Sequence, residues 1–149
     1  MPTTRNKIVL KGDPRYEEAV VASAFNPGHL VQLDSAGKLK KHATEGGVAE
    51  RAFAVEDALQ GNEIADAAVA ENTHPFVLAK PGDEIYAYIK AGEDIAIGDI
   101  LISAGDGTLI EEGSENSATT VKDRVAVAVE ANDLTGSAAV ATRSAVRVL

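Results

Sequence analysis

An all-β fold, a small barrel or sandwich of hairpins with at most one short helix and an extended N-terminal arm, is what three features of this sequence predict. Val and Ile together supply 24 residues against 10 Leu, and β-branched side chains pack well on a pleated surface. Two segments seventy residues apart, GHLVQLDSAGKLKKHA and GDILISAGDGTLIEE, each read as strand, glycine turn and return strand. Residues 84–90, EIYAYIK, alternate with a period of two: Ile85, Ala87 and Ile89 share one face, Tyr86 and Tyr88 the other.

The 149 residues suit one domain of ordinary size, which buries roughly 68% of the surface its unfolded chain exposes. Alanine contributes 26 residues and aromatics only six, so the core is expected to be thin. Within the chain, residues 1–27 read as an arm and residues 28–149 as the β-rich domain. The first fifteen residues carry Arg5, Lys7, Lys11 and Arg15 against Asp13 alone, a charge of +3 on a remainder of −12. Pro2, Gly12 and Pro14 punctuate this stretch, and Asn26-Pro27-Gly28 closes the next as a turn. One reading is a solvated tail. The other is an arm that adds Lys7, Ile8, Val9, Leu10 and Lys11 as a strand to a partner's sheet, with Arg5, Arg15 and Tyr16 completing the contact.

The hairpins follow. Residues 30–33 form a strand, 34–37 a turn, and Lys38 starts the return. Gly28 matches Gly98, Gly37 matches Gly107 and Leu39 matches Leu109; RAFAVED from Arg51 and RVAVAVE from Arg124 follow the two copies. A diverged duplication and two unrelated hairpins with glycine turns both fit. Gly37 and Gly107 are expected at positive φ, where a side chain would clash. Residues 48–59 and 63–71 have only their alanine content to recommend a helix. Ile95 and Ile97 fall on one face. In the last strand Ala141, Arg143, Ala145 and Arg147 share a face, with Val140, Thr142, Ser144, Val146 and Val148 opposite. Tyr86 and Tyr88, opposite the core stripe, are expected in a subunit contact, since Tyr is enriched there. A second sheet of the same chain would cover them equally well.

The search for chemistry is mostly negative. The chain has no cysteine, which excludes disulfides, thiolate catalysis and zinc–thiolate sites. A pI near 4.7 argues against nucleic acid, whose phosphates need a basic face. No apolar run approaches the roughly 18–20 residues of a membrane span, and Ile8-Val9-Leu10 is too short for a signal peptide. His29, His42 and His74 lack metal-ligand spacing. No nucleophile elbow, P-loop or dinucleotide fingerprint occurs. Asp83, Glu84, Glu93, Asp94, Asp99 and Asp106 cluster in sequence, yet match no calcium loop and sit where Asp favours turns. A lipoyl- or biotinyl-type carrier needs a lysine at a hairpin tip, and DSAG and AGDG have none. No catalytic residue, cofactor or metal is expected.

From Ala52 onward the succession of pieces resembles the head-decoration, or capsid-cement, proteins of tailed bacteriophages. The pieces are a strand at 52–56, LQGNEIADAAV, PGDEIYAYIKAGEDIAIGDILISAGDGTLIEE, RVAVAVEANDLTGS and the basic alternating strand at 143–149. Each is ordinary β-turn grammar; their order is more specific. Glu71-Asn72 departs from it, standing where a glycine-containing turn is expected. The resemblance implies a non-enzymatic protein, made in the host cytoplasm, on the outer face of the expanded capsid. Its partners would be the major capsid protein and itself, as a homotrimer, without direct nucleic acid or membrane contact. The alternative is an acidic β-barrel that binds a ligand or serves an enzyme as an accessory domain.

Overall fold

Strand formation follows the alternating stretch closely: Glu84–Ile89 is β7, with Ile85, Ala87 and Ile89 fully buried. The computed structural model describes residues 5–115, 121–136 and 139–149. Before β7 come β1 (Val9–Lys11), β2 (Arg15–Val20), β3 (Val31–Leu33), β4 (Leu39–Lys41), β5 (Ala52–Ala54) and β6 (Thr73–Leu78). After it come β8 (Asp94–Ile95), β9 (Ile100–Ser103), β10 (Leu109–Glu111), β11 (Arg124–Ala128), β12 (Asn132–Asp133) and β13 (Thr142–Val148). A 3-10 turn at Ala58–Gln60 is the only helical element among the described residues.

Five strands close a barrel in the order β7-β10-β9-β11-β13 and back to β7, and β1 adds to it on β7. β13 lies antiparallel along the whole of β7, from Thr142 against Ile89 to Arg147 against Glu84. The opposite edge of β7 is divided among three segments. The Tyr86 N–H donates to Ile8 O (2.7 Å), that of Tyr88 to Gly28 O (3.1 Å) and that of Lys90 to Leu109 O (3.0 Å). A second sheet, β2-β6-β5, leans on the barrel, and β3–β4 and β8–β12 are two-stranded. Phe53 and Val77 of the second sheet join Ile85, Leu101, Leu109 and Val146 in the main core. A smaller core of Val21, Phe25, Val31, Leu39 and Phe76 lies on its other face.

The two glycine hairpins share one register. Leu33 pairs with Leu39 and Val31 with Lys41; seventy residues on, Ser103 pairs with Leu109 and Leu101 with Glu111. Gly37 and Gly107 both have positive φ, +76° and +85°, as their turns require. Their surroundings differ. Gly37 faces open space, whereas Gly107 donates to His42 O and accepts from the Leu30 N–H, inserting its turn into the base of the first hairpin.

Several expectations need correction. Residues 5–27 are not a free arm, because the sheets run across the expected boundary at 27 and 28. Val9 pairs with Ile85, β2 pairs with β6 throughout, and Ile8 is fully buried in the main core. Residues 1–4 of that arm lie outside the described residues. The physical reason is the edge of β7, which takes Ile8 from its own chain before any partner can. Residues 48–59 and 63–71 contain no α-helix; alanine favours a helix only where an apolar stripe can pack, and none recurs there. Ile95 is buried but Ile97 is exposed, since β8 ends between them.

Truncating Ile8→Ala should therefore cost about 2–4 kcal/mol, as for a well-packed core residue, read from urea unfolding. Deleting residues 1–15 should lower the melting midpoint and expose apolar surface, where a dispensable tail would change neither. A Cβ at Gly107 would lie 3.0 Å from Lys41 Cγ and 3.2 Å from His29 Cδ2. Gly37→Ala should thus cost about 1 kcal/mol from backbone strain alone, and Gly107→Ala more than that, measured as the difference in melting midpoint.

Candidate binding surface

Reactive side chains are dispersed and already engaged. His42 Nδ1 and Ser103 Oγ lie 2.6 Å apart, but both are buried and His42 Nε2 is 3.0 Å from Val48 O. The pair ties the first hairpin to β9. His74 Nε2 donates to Val55 O at 2.7 Å. The clustered carboxylates close turns: Asp83 accepts from the Lys80 N–H, Asp99 from the Ala96 N–H and Asp106 from the Thr108 N–H. Among the described residues no group of three or more His, Cys, Asp or Glu is placed to hold a metal ion.

The residues expected to grip a partner divide. Arg5 forms a two-pronged ion pair with Glu130 (2.7 and 2.9 Å) and lies over the Tyr86 ring at 5.2 Å. Glu130 also accepts from the Ala145 N–H. Burial opposes ionisation there, yet the Arg5 hydrogen bond outweighs it and holds the Glu130 carboxyl below its usual range. Val9 and Leu10 are half-buried, Lys7 and Lys11 exposed, and Arg15 pairs with its neighbour Glu17. Tyr88 stacks on His29 (4.3 Å between centroids) and lies under Arg143 (4.6 Å). Both tyrosines are half-buried, covered in part by Arg5, His29 and Arg143 of their own chain and not by a second sheet.

Tyr16 stands apart. It is 62% exposed and lies on the face of the second sheet that carries Phe53 and Val77, its register partner being Val77. That face runs past the barrel wall, so Tyr16, Glu18, Thr73 and Pro75 are left uncovered by the core. The chain leaving β5 through Val55 and Glu56 turns at Ala58–Gln60 and forms the other wall of a groove of about 250 Å³. Leu59, 97% exposed, stands at its rim. The turn is held by the Gln60 N–H to Asp57 O and the Gly61 N–H to Ala58 O. Glu18, Glu56 and Asp57 line the groove, and no lysine or arginine does. Burial, then Glu56 and Asp13, raise the Tyr16 phenol above its ordinary pKa. Sequence reasoning found Tyr16 but attached it to an arm; it missed Leu59, because nothing local marks an apolar residue in a short turn as exposed.

A wider groove adjoins this one and shares Asp57, Gln60 and Thr73 with it. At its far side the turn 69–72 is closed by the Asn72 N–H to Val69 O. Glu71 takes its third position at φ +71°, the one non-glycine residue with positive φ among those described. The turn expected to hold glycine is present, with glutamate in the left-handed position and its carboxylate on Lys38 at 2.9 Å.

No family model matches the chain, and no curated protein does. Among solved structures, the crystal structure of the head fiber gp8.5 N base in bacteriophage phi29 superposes with a TM-score of 0.55. The match covers 91% of this chain and 93% of that one, at 13% identity. The two chains share a fold. The likeness extends across both sheets and is not confined to one hairpin.

Titration of His29 gives this framework a defined pH response. Burial, with Lys41 and Arg143 nearby, lowers its pKa from 6.5 to about 4, and its Nδ1 accepts the Asn26 N–H, which a protonated ring cannot do. Burial lowers His74 as well. Between those pH values the unfolded chain binds the proton that folded His29 refuses, so stability rises with pH across this window. Unfolding free energy should be full above pH 6.5 and fall toward pH 4 by up to about 3 kcal/mol. His29→Gln should flatten the decline in urea midpoint between pH 7.5 and 5.

Proposed function

We propose that this protein is a structural component of a tailed-phage virion, which binds the outer surface of the expanded head and stabilises it against internal DNA pressure. The observation that carries the reading is the fold shared with a phage head fiber base along nearly the whole of both chains. It agrees with the resemblance to head-decoration proteins in the order of the sequence pieces. A net charge of −9 suits a protein outside the shell that touches no DNA. The major capsid protein is the proposed partner, with a homotrimer as the form bound. In this reading no residue is catalytic and no cofactor is required.

Co-sedimentation with expanded capsids tests this directly. The purified protein should pellet with expanded shells and raise the temperature at which they release DNA. Light scattering should give the mass of three chains. Failure to pellet with any capsid form, with release temperature unchanged, would overturn the reading.

A further inference from the structure

We infer that the groove between Tyr16 and Leu59 is a docking seat for an extended segment of the coat protein, one that presents an apolar side chain between lysine or arginine residues. The inference rests on the proposed capsid binding and names the surface that performs it. Two apolar side chains stand at the rim, Leu59 at 97% and Tyr16 at 62% exposure, and the half-buried Pro75 also lines the groove. A single exposed apolar residue is ordinary; here two of them border one groove, and that shared apolar rim is what a partner can cover. The charge selects that partner. Glu18, Glu56 and Asp57 line the groove without a lining cation; Glu56 accepts from the Ile8 N–H, which leaves its charge uncancelled, so an acidic segment would be repelled and a basic one drawn in.

The shape of the groove favours an extended occupant: Tyr16 and Glu18 on β2 with Thr73 and Pro75 on β6 form one wall, and the chain at 55–60 forms the other. A second copy pairing β2 to β2 about its centre is disfavoured, because Glu17 and Glu18 of each strand would oppose one another. Glu18 and Tyr16 alternate with Glu17 along β2. A segment laid in the groove therefore meets one tyrosine and one carboxylate from this strand, and Leu59 and Asp57 from the facing turn.

Two measurements on the full chain test this. In the first, the peptides Ac-KLKVK-NH2 and Ac-ELEVE-NH2 are titrated while backbone amide shifts are followed. The basic peptide should move Tyr16, Glu18, Leu59 and Gln60, less so at high salt, and the acidic one should not. Equal shifts from both peptides, or shifts elsewhere, overturn the groove assignment whatever the protein does on capsids. In the second, Leu59→Asp and Tyr16→Ser are compared with Ile97→Asp, an exposed apolar residue outside the groove, in capsid co-sedimentation. Circular dichroism and urea midpoints check that each variant folds. The groove variants should lose at least tenfold in retention and Ile97→Asp should match wild type. Wild-type binding that survives both groove variants overturns the inference and leaves capsid binding standing. A wild-type protein that never pellets sinks the capsid reading itself. Dissociation of a free oligomer by Leu59→Asp would mean that a second copy fills the groove, and would equally overturn it.

Discussion

A strand in the middle of a fold cannot leave either of its edges bare, and β7 meets this requirement in a way that organises everything around it. Its β13 edge is a regular ladder. On the other edge three successive N–H groups, of Tyr86, Tyr88 and Lys90, find carbonyls on Ile8, Gly28 and Leu109. Buried backbone donors must be paired, so the N-terminal segment, the entry to the first hairpin and the return strand of the second are all brought to one line. Barrel closure on that line depends on a single parallel pair, Leu109 against Ile89. The burial of Ile8, the covering of Tyr86 and Tyr88, and the insertion of Gly107 beside His42 are consequences of that shared edge.

Arginines fasten what the small core does not. Arg51 holds Asp123 through two prongs (2.5 and 2.9 Å) and also donates to Ala49 O and Arg124 O. Arg143 donates to Pro27 O and Ile64 O while lying over Tyr88. Arg5 does the same for Glu130 and Tyr86. Each of these joins segments far apart in sequence, and Arg51 and Arg143 do so through backbone carbonyls as well. Exposed ion pairs add little stability; two-pronged, half-buried ones fix geometry. The acidic balance of the molecule then falls to carboxylates these arginines do not use, Glu18 and Asp57 among them.

What the sequence made legible was local. The alternation at 84–89 is β7, the seventy-residue offset is a real identity of hairpin register, and the glycines at 37 and 107 have the φ their turns need. The all-β class followed from these. What it concealed was every choice of long-range partner. Ile8-Val9-Leu10 between lysines reads the same whether it pairs with another chain or with Ile85 of its own. Tyr86 and Tyr88 read as an exposed pair until Arg5, His29 and Arg143 are seen to cover them. Glu71 looked like a departure from the turn pattern; it occupies the glycine position of an intact turn. The groove was half visible, Tyr16 being conspicuous and Leu59 silent.

The division of β7 between partners from both ends of the chain has a bearing on how the molecule is made. The hairpins β3–β4 and β9–β10 close over a few residues and can form as soon as they are synthesised. β7 cannot be completed then, because Glu84 waits for Arg147. While the last third of the polypeptide is still on the ribosome, a six-residue strand with alternate apolar side chains has one flank unpaired, and such a flank is a template for a neighbouring nascent chain. The spacing between ribosomes on one message and the speed with which β13 arrives would then decide how much of the product folds and how much aggregates.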